Sequence, residues 1–157
     1  MAGRQRRTIG AVLRVPLDEH WHAYAWTLPE VDSAFFDLKA DASIPADKVV
    51  THPIAFRVGV HKSAWTTGRW LRVGKIDPPP EVLAPVPTFV EDPFSGAFSI
   101  YLLGDIRPAK REECVGLESC AIWDPEHVED RLRDYFAGVP NKWVRSLALG
   151  SGRRTCG

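Results

Sequence analysis

Between Gly116 and Trp143 the sequence reads GLESCAIWDPEHVEDRLRDYFAGVPNKW, and it marks both ends of one helix. Asp124 is a residue type that caps helix N-termini, and Pro125 follows at the first helical position, where a missing N–H costs nothing. Val128, Leu132, Tyr135 and Phe136 recur at i, i+4, i+7 and i+8, so they share one face. Glu126, Glu129, Asp130, Arg133 and Asp134 fall on the opposite, polar face. Gly138 can end the helix in a left-handed conformation, and Pro140 prevents a restart. Trp123 and Val128 have the spacing of a hydrophobic staple across the cap. The pattern predicts an amphipathic helix over about 124–137 that needs an apolar surface to lie on.

The preceding residues supply such a surface. From Ile9 to Leu17 the odd positions are apolar, the period of two of a half-buried strand. Asp18-Glu19 interrupts, and His20 to Leu28 restarts, which predicts a hairpin with His20, His22, Tyr24, Trp26 and Leu28 on one face. Further strands are expected at 33–38, 54–60, 70–76, 88–90 and 98–103, with Gly74 marking a bulge or a close backbone approach. The Pro-rich stretch from Asp77 to Pro87 reads as a loop. Short strands in sequence followed by one good helix predict an α+β domain. Its sheet is expected to be mostly antiparallel and curved or barrel-like, with the C-terminal helix packed on it. The expected organisation is a flexible basic arm over 1–8, a single domain over 9–149 and a flexible tail over 150–157.

Charge and cysteine content narrow the function classes. Twenty basic and twenty acidic side chains cancel, which argues against a whole-surface attraction to nucleic acid or anionic membrane. No apolar run approaches the roughly 18 residues of a membrane span, and no signal-peptide core follows the basic N-terminus. Cys114, Cys120 and Cys156 lack CxxC spacing and read as reduced thiols in a cytoplasm.

A search for catalytic chemistry finds little. No P-loop, G-x-G-x-x-G, G-x-S-x-G or H-E-x-x-H motif is present. His20 and His22 could place two imidazoles on one strand face, with His52, His61 or an acid as a third ligand, but two solvated histidines near a turn are the plain alternative. Glu112 and Glu113 oppose thiolate formation at Cys114, and Cys120 alternates with apolar neighbours. Asp32, Asp37, Asp105 and Glu118 are carboxylates that no pattern brings together. No catalytic residue, metal site or cofactor is expected.

Aromatic residues offer more. Of six tryptophans, Trp26, Trp70, Trp123 and Trp143 have core-like settings. Trp21 lies near the hairpin tip, and Trp65 lies in the polar loop that leads to Arg69. Exposed Trp and Arg dominate binding hot spots, so Trp21, Trp65 and Arg69, with the neighbouring His22, are the candidate partner contacts. Packing beneath a loop is the other reading for either ring.

The chain resembles the immunity protein 26 family of bacterial polymorphic toxin systems. The resemblance rests on Gly10-Ala-Val-Leu-Arg-Val-Pro-Leu17, Tyr24, Phe36-Asp-Leu38, Ile54-Ala-Phe-Arg-Val58 and Trp70-Leu-Arg-Val-Gly74. Gly116-Leu-Glu118, Trp123, Arg131-Leu132, Tyr135 and Asn141-Lys-Trp143 continue the order. It implies a small cytoplasmic α+β protein that binds and neutralises a toxin encoded nearby, with no catalytic residues; neutral charge and the lack of an apolar span make nucleic-acid and membrane partners unexpected. The segment Asp18-Glu19-His20-Trp21 and the Pro-rich loop depart from the pattern. Two other classes compete with this reading. One is a small-ligand or metal-dependent enzyme using the His20/His22 face. The other is a nucleic-acid-binding module using the Arg4-Gln5-Arg6-Arg7 arm.

Overall fold

The structure, a computed structural model, describes residues 4–150. Its first half is a run of strands broken by helical turns: β1 Ala11–Pro16, β2 His22–Thr27, β3 Asp32–Phe36, α1 Ala46–Val49, β4 Ile54–Val60, α2 Ser63–Thr66 and β5 Leu71–Lys75. There follow α3 Pro80–Leu83, β6 Thr88–Glu91, β7 Phe98–Leu102, β8 Asp105–Ala109, α4 Arg111–Cys114 and β9 Ile122–Trp123. The long helix α5 spans Pro125–Ala137, and α6 spans Lys142–Leu147. The architecture is α+β, as the pattern predicts.

Six strands form one sheet in the order β5-β1-β2-β3-β4-β9, antiparallel throughout except for the parallel β4–β9 pair. The sheet stays open, so the barrel-like option does not occur. A second sheet, β6-β7-β8, is antiparallel and reaches the main body through Phe89, whose N–H donates to Glu118 and whose carbonyl accepts from Cys120. Pro108 lies in its edge strand β8, where a missing N–H is tolerated.

Both faces of the large sheet are buried. Leu13, Val15, Ala23, Ala25, Phe35, Phe56, Val58 and Val60 form one core with Trp65, Trp70, Trp123, Val128 and Leu132. On the other face Val12, Tyr24, Trp26, Ala34 and Phe36 pack with Val49 and with the half-buried Ile44, Ala46 and Val82. Helix α5 covers only the first. The second is roofed by α1, α3 and the Pro-rich loop, because its strand residues are apolar as well and must leave water. Trp26 holds this roof by donating its Nε1–H to the Ile76 carbonyl at 2.9 Å. Arg57 adds a bond to the Val82 carbonyl at 2.8 Å and a salt bridge to Asp32 at 3.1 Å. Gly74 allows the approach of α1: a Cβ there would lie 2.6 Å from that of Ala46. The register also shifts opposite this residue, so Gly74 marks both a bulge and a close contact.

Helix α5 has the ends its sequence writes, with two differences. Asp124 stands at the N-cap but makes no side-chain cap bond, while Gly138 closes the helix at φ 70°. Val128 and Leu132 are fully buried and Phe136 packs against the same core, whereas Tyr135 is exposed. Its ring meets Phe136 edge-on from the solvent side, so Tyr135 leaves the predicted core face.

Glu129 makes the opposite move. The helical pattern puts it among the polar residues, yet it is only 4% exposed. Its carboxylate accepts from Trp70 Nε1 at 2.8 Å and from Arg69 Nε and Nη2 at 2.7 and 2.8 Å. A buried carboxylate is tolerated only when its oxygens are satisfied, and here both are.

Within the segment ahead of β1, Gln5 donates to the Trp70 carbonyl and accepts from the Arg72 N–H, and Arg7 donates to the carbonyls of Leu28 and Asp32. Cys114 is a free buried thiol, as the sequence suggests. Residues 1–3 of the arm and 151–157 of the tail lie outside the described residues.

Replacing Glu129 by Ala strands the Trp70 N–H and the Arg69 guanidinium; urea unfolding should show a loss of about 3 kcal/mol. Glu129→Gln, which keeps an acceptor for Trp70, should lose less. Equal losses would show that the charge is essential and that the retained acceptor contributes nothing.

Candidate functional site

The hairpin loop between β1 and β2 is built around Asp18. Its Oδ1 accepts from the N–H groups of His20 and Trp21, both at 2.8 Å. These bonds hold the Asp18 carboxyl below the usual carboxylate range. The Trp21 carbonyl in turn accepts from the N–H groups of Leu17 and Asp18. A short side chain that bonds the backbone two and three residues on fixes a turn, so Trp21 is presented from a rigid loop. Its ring is 37% exposed, and the Lys39 Nζ lies 4.6 Å from the ring centroid. Glu19, His20, Trp21 and Asp41 line an open depression at this loop.

His22 begins β2 and secures the neighbouring segment. Its backbone exchanges two hydrogen bonds with Ala40, both at 2.9 Å. Its Nε2 lies 2.9 Å from the Tyr24 hydroxyl, which itself accepts from the Ile44 N–H at 3.0 Å. The hydroxyl therefore has its own proton to give to Nε2, a pairing that suits the neutral imidazole. Burial first, and then the charge of Arg14, hold this imidazole below its ordinary protonation range, against a bond to the Ala42 backbone. The ring works as a brace for residues 40–44. His20, by contrast, lies in the exposed loop ahead of the strand, so the two rings do not form the paired strand face expected of them. Among the described residues the carboxylate–imidazole grouping compact enough to suit a cation is Asp124, Glu126 and His127 at the start of α5, and it includes neither His20 nor His22.

The other two candidate contacts are occupied within the fold. Trp65 is 3% exposed in α2, packed in the main core with Arg7 over its ring at 5.3 Å, so it has no face to offer a partner. Arg69 keeps partial exposure, but its guanidinium is committed to Glu129, whose hydrogen bond raises it further above its ordinary value. Among the described residues no hydrogen bond, ion pair or ring contact joins Trp21 or His22 to Trp65 or Arg69. Of the four candidates, Trp21 alone combines a rigid mount with an exposed aromatic ring.

The motif at the end of the chain is structural. Arg131 forms a two-bonded pair with Glu118 at 3.1 and 2.8 Å and lies over the rings of Phe56 and Trp123 at 3.8 and 5.1 Å. Asn141 caps α6 by accepting from the N–H groups of Trp143 and Val144, and it donates to Asp130 and Asp134 on α5. Trp143 stacks on His127 with centroids 3.7 Å apart. From sequence, Glu118 reads as an isolated carboxylate and Trp143 as a core-like ring, while Arg131 and Asn141 carry no assigned role. The signal available was pairing: Glu118 with Arg131, and an Asn directly before the short helix.

Comparison with protein families gives a match to the model of immunity protein 26 over residues 8–99, more than half of the 157-residue chain. The chain belongs to the immunity protein 26 family. No curated protein and no solved structure gives a match. Membership of an immunity protein family suggests a toxin-neutralising, non-catalytic role. The matched stretch of this immunity protein 26 member runs from ahead of β1 into β7 and includes the loop bearing Trp21. It stops short of Glu118, Trp123 and α5, so the terminal motif lies beyond it. Among the described residues no helix is long and apolar enough to cross a membrane.

The His22 brace has a pH signature. The unfolded chain takes up the proton at a higher pH than the folded one. Stability is therefore level above the ordinary histidine value of 6.5 and falls as the pH drops below it toward the folded value. Thermal melts between about pH 5 and 7 should show this slope in the wild type and its loss in His22→Gln. An unchanged slope would place its source elsewhere.

Proposed function

We propose that this protein is a non-catalytic immunity protein of a bacterial polymorphic toxin system, acting in the cytoplasm. It binds a cognate toxin encoded beside it and neutralises that toxin by direct protein–protein contact. The observation that carries this reading is the family match over residues 8–99, which takes in most of the large sheet and its loops. The geometry is in keeping with it. The ionisable groups that could have served catalysis are placed as braces and pairs: His22 on Tyr24, Glu129 on Arg69 and Trp70, Glu118 on Arg131. An exposed tryptophan on a rigid loop, beside carboxylates that make no ion pair among the described residues, is in keeping with partner binding. A stable inhibitor interface of standard size buries about 1,600 Å² in total, which loops at one end of a sheet can supply.

Co-expression with the toxin domain encoded by the adjacent gene tests the proposal. Cells carrying both should survive, and the two chains should co-purify as one complex. Survival without a complex, or a complex without survival, would overturn direct neutralisation.

A further inference from the structure

We propose that the depression formed by Glu19, His20, Trp21 and Asp41 receives a lysine or arginine side chain from a positively charged face of the toxin. This deepens the reading above and rests on it.

Three observations converge on a cationic partner. First, the Trp21 ring already holds a cation, the chain's own Lys39 ammonium at 4.6 Å from its centroid. An aromatic face attracts ammonium and guanidinium groups through its quadrupole, so Lys39 is an internal stand-in for the chemistry the ring accepts. Second, the depression, about 450 Å³ in volume, is flanked by the carboxylates of Glu19 and Asp41. Among the described residues neither makes an ion pair within 4.0 Å. The nearby Arg133 is already used by the Leu17 carbonyl at 2.8 Å and by Asp130 at 3.6 Å. Third, the site is built before the partner arrives. Asp18 fixes one wall through its two backbone bonds, and the His22–Ala40 bridge fixes the other beside Asp41. Little ordering remains to oppose association. Carboxylates beside a cation-accepting ring complement a basic surface and steer its approach.

Another exposed apolar feature is the β7–β8 hairpin, where Leu103 (φ 48°) and Ile106 are 58% and 64% exposed. It carries no comparable charge pattern that would name an occupant, and it serves as the contrasting surface in the test.

The test measures calorimetric binding of the full chain to the toxin domain encoded beside it, at low and high salt. Trp21→Ala should weaken binding about tenfold or more. The Glu19→Lys, Asp41→Lys double variant should weaken it about a hundredfold and flatten the salt dependence. Lys39→Ala should bind as tightly as the wild type or more tightly, because it vacates the ring. Ile106→Asp should stay within about twofold of the wild type, as a change outside the interface does. All of these positions are exposed, so the variants should fold, and circular dichroism checks this. Wild-type affinity in Trp21→Ala and the double variant overturns the inference while leaving toxin neutralisation standing, as does a large loss in Lys39→Ala or Ile106→Asp. Absence of any binding by the wild-type chain overturns both.

Discussion

The fold depends on a carboxylate that the helical pattern places on the wrong face. Glu129 sits under α5 with both oxygens satisfied by Trp70 and Arg69, and its burial fixes the height and rotation of the helix on the sheet. A ring alone would tolerate a small slide of the helix; three directed hydrogen bonds do not. Trp70 in turn stands edge-on to Phe35, which stacks on Phe56, so the polar anchor is continuous with the aromatic centre of the core. Arg131 repeats the device one half-turn on, with its charge met by Glu118 and its plane laid on Phe56 and Trp123. In each case a charged group enters the interior only with a complete set of partners.

Much of the strand framework was legible because one physical signal dominated it. Alternation places β1, β2, β4 and β5 within one or two residues of their observed ends, and Pro125 and Gly138 bound α5 as expected. The gaps have specific causes. Strand β8 contains Pro108, which argues against a strand unless the strand is known to be an edge. Strand β9 is two residues long and pairs in parallel with β4 across some sixty positions, a relation no local window contains. The second roof of the sheet is assembled from four-residue helices too short for any period to show.

The candidate site was legible in part, for a similar reason. Composition singled out Trp21, Trp65 and Arg69 alike, but exposure is decided by packing. Trp65 filled the core, Arg69 met Glu129, and Trp21 stayed open. Lys39 and Asp41, which give Trp21 its chemical character, sit on a different loop some twenty residues away. The antiparallel bridge between His22 and Ala40 brings that loop alongside, and tertiary pairing of that kind has no one-dimensional trace.

The family match ends at residue 99, inside β7, and this separates two kinds of unit. What is shared across the family is a stretch of sequence; what can stand in water is larger. A piece cut there would lose the partner strand of β7, the Glu129 anchor beneath Trp70 and the Arg131 lid over Phe56. The terminal helix is thus no appendage. It is the half of the interior wall that lets the shared half, with its Trp21 loop, keep its shape.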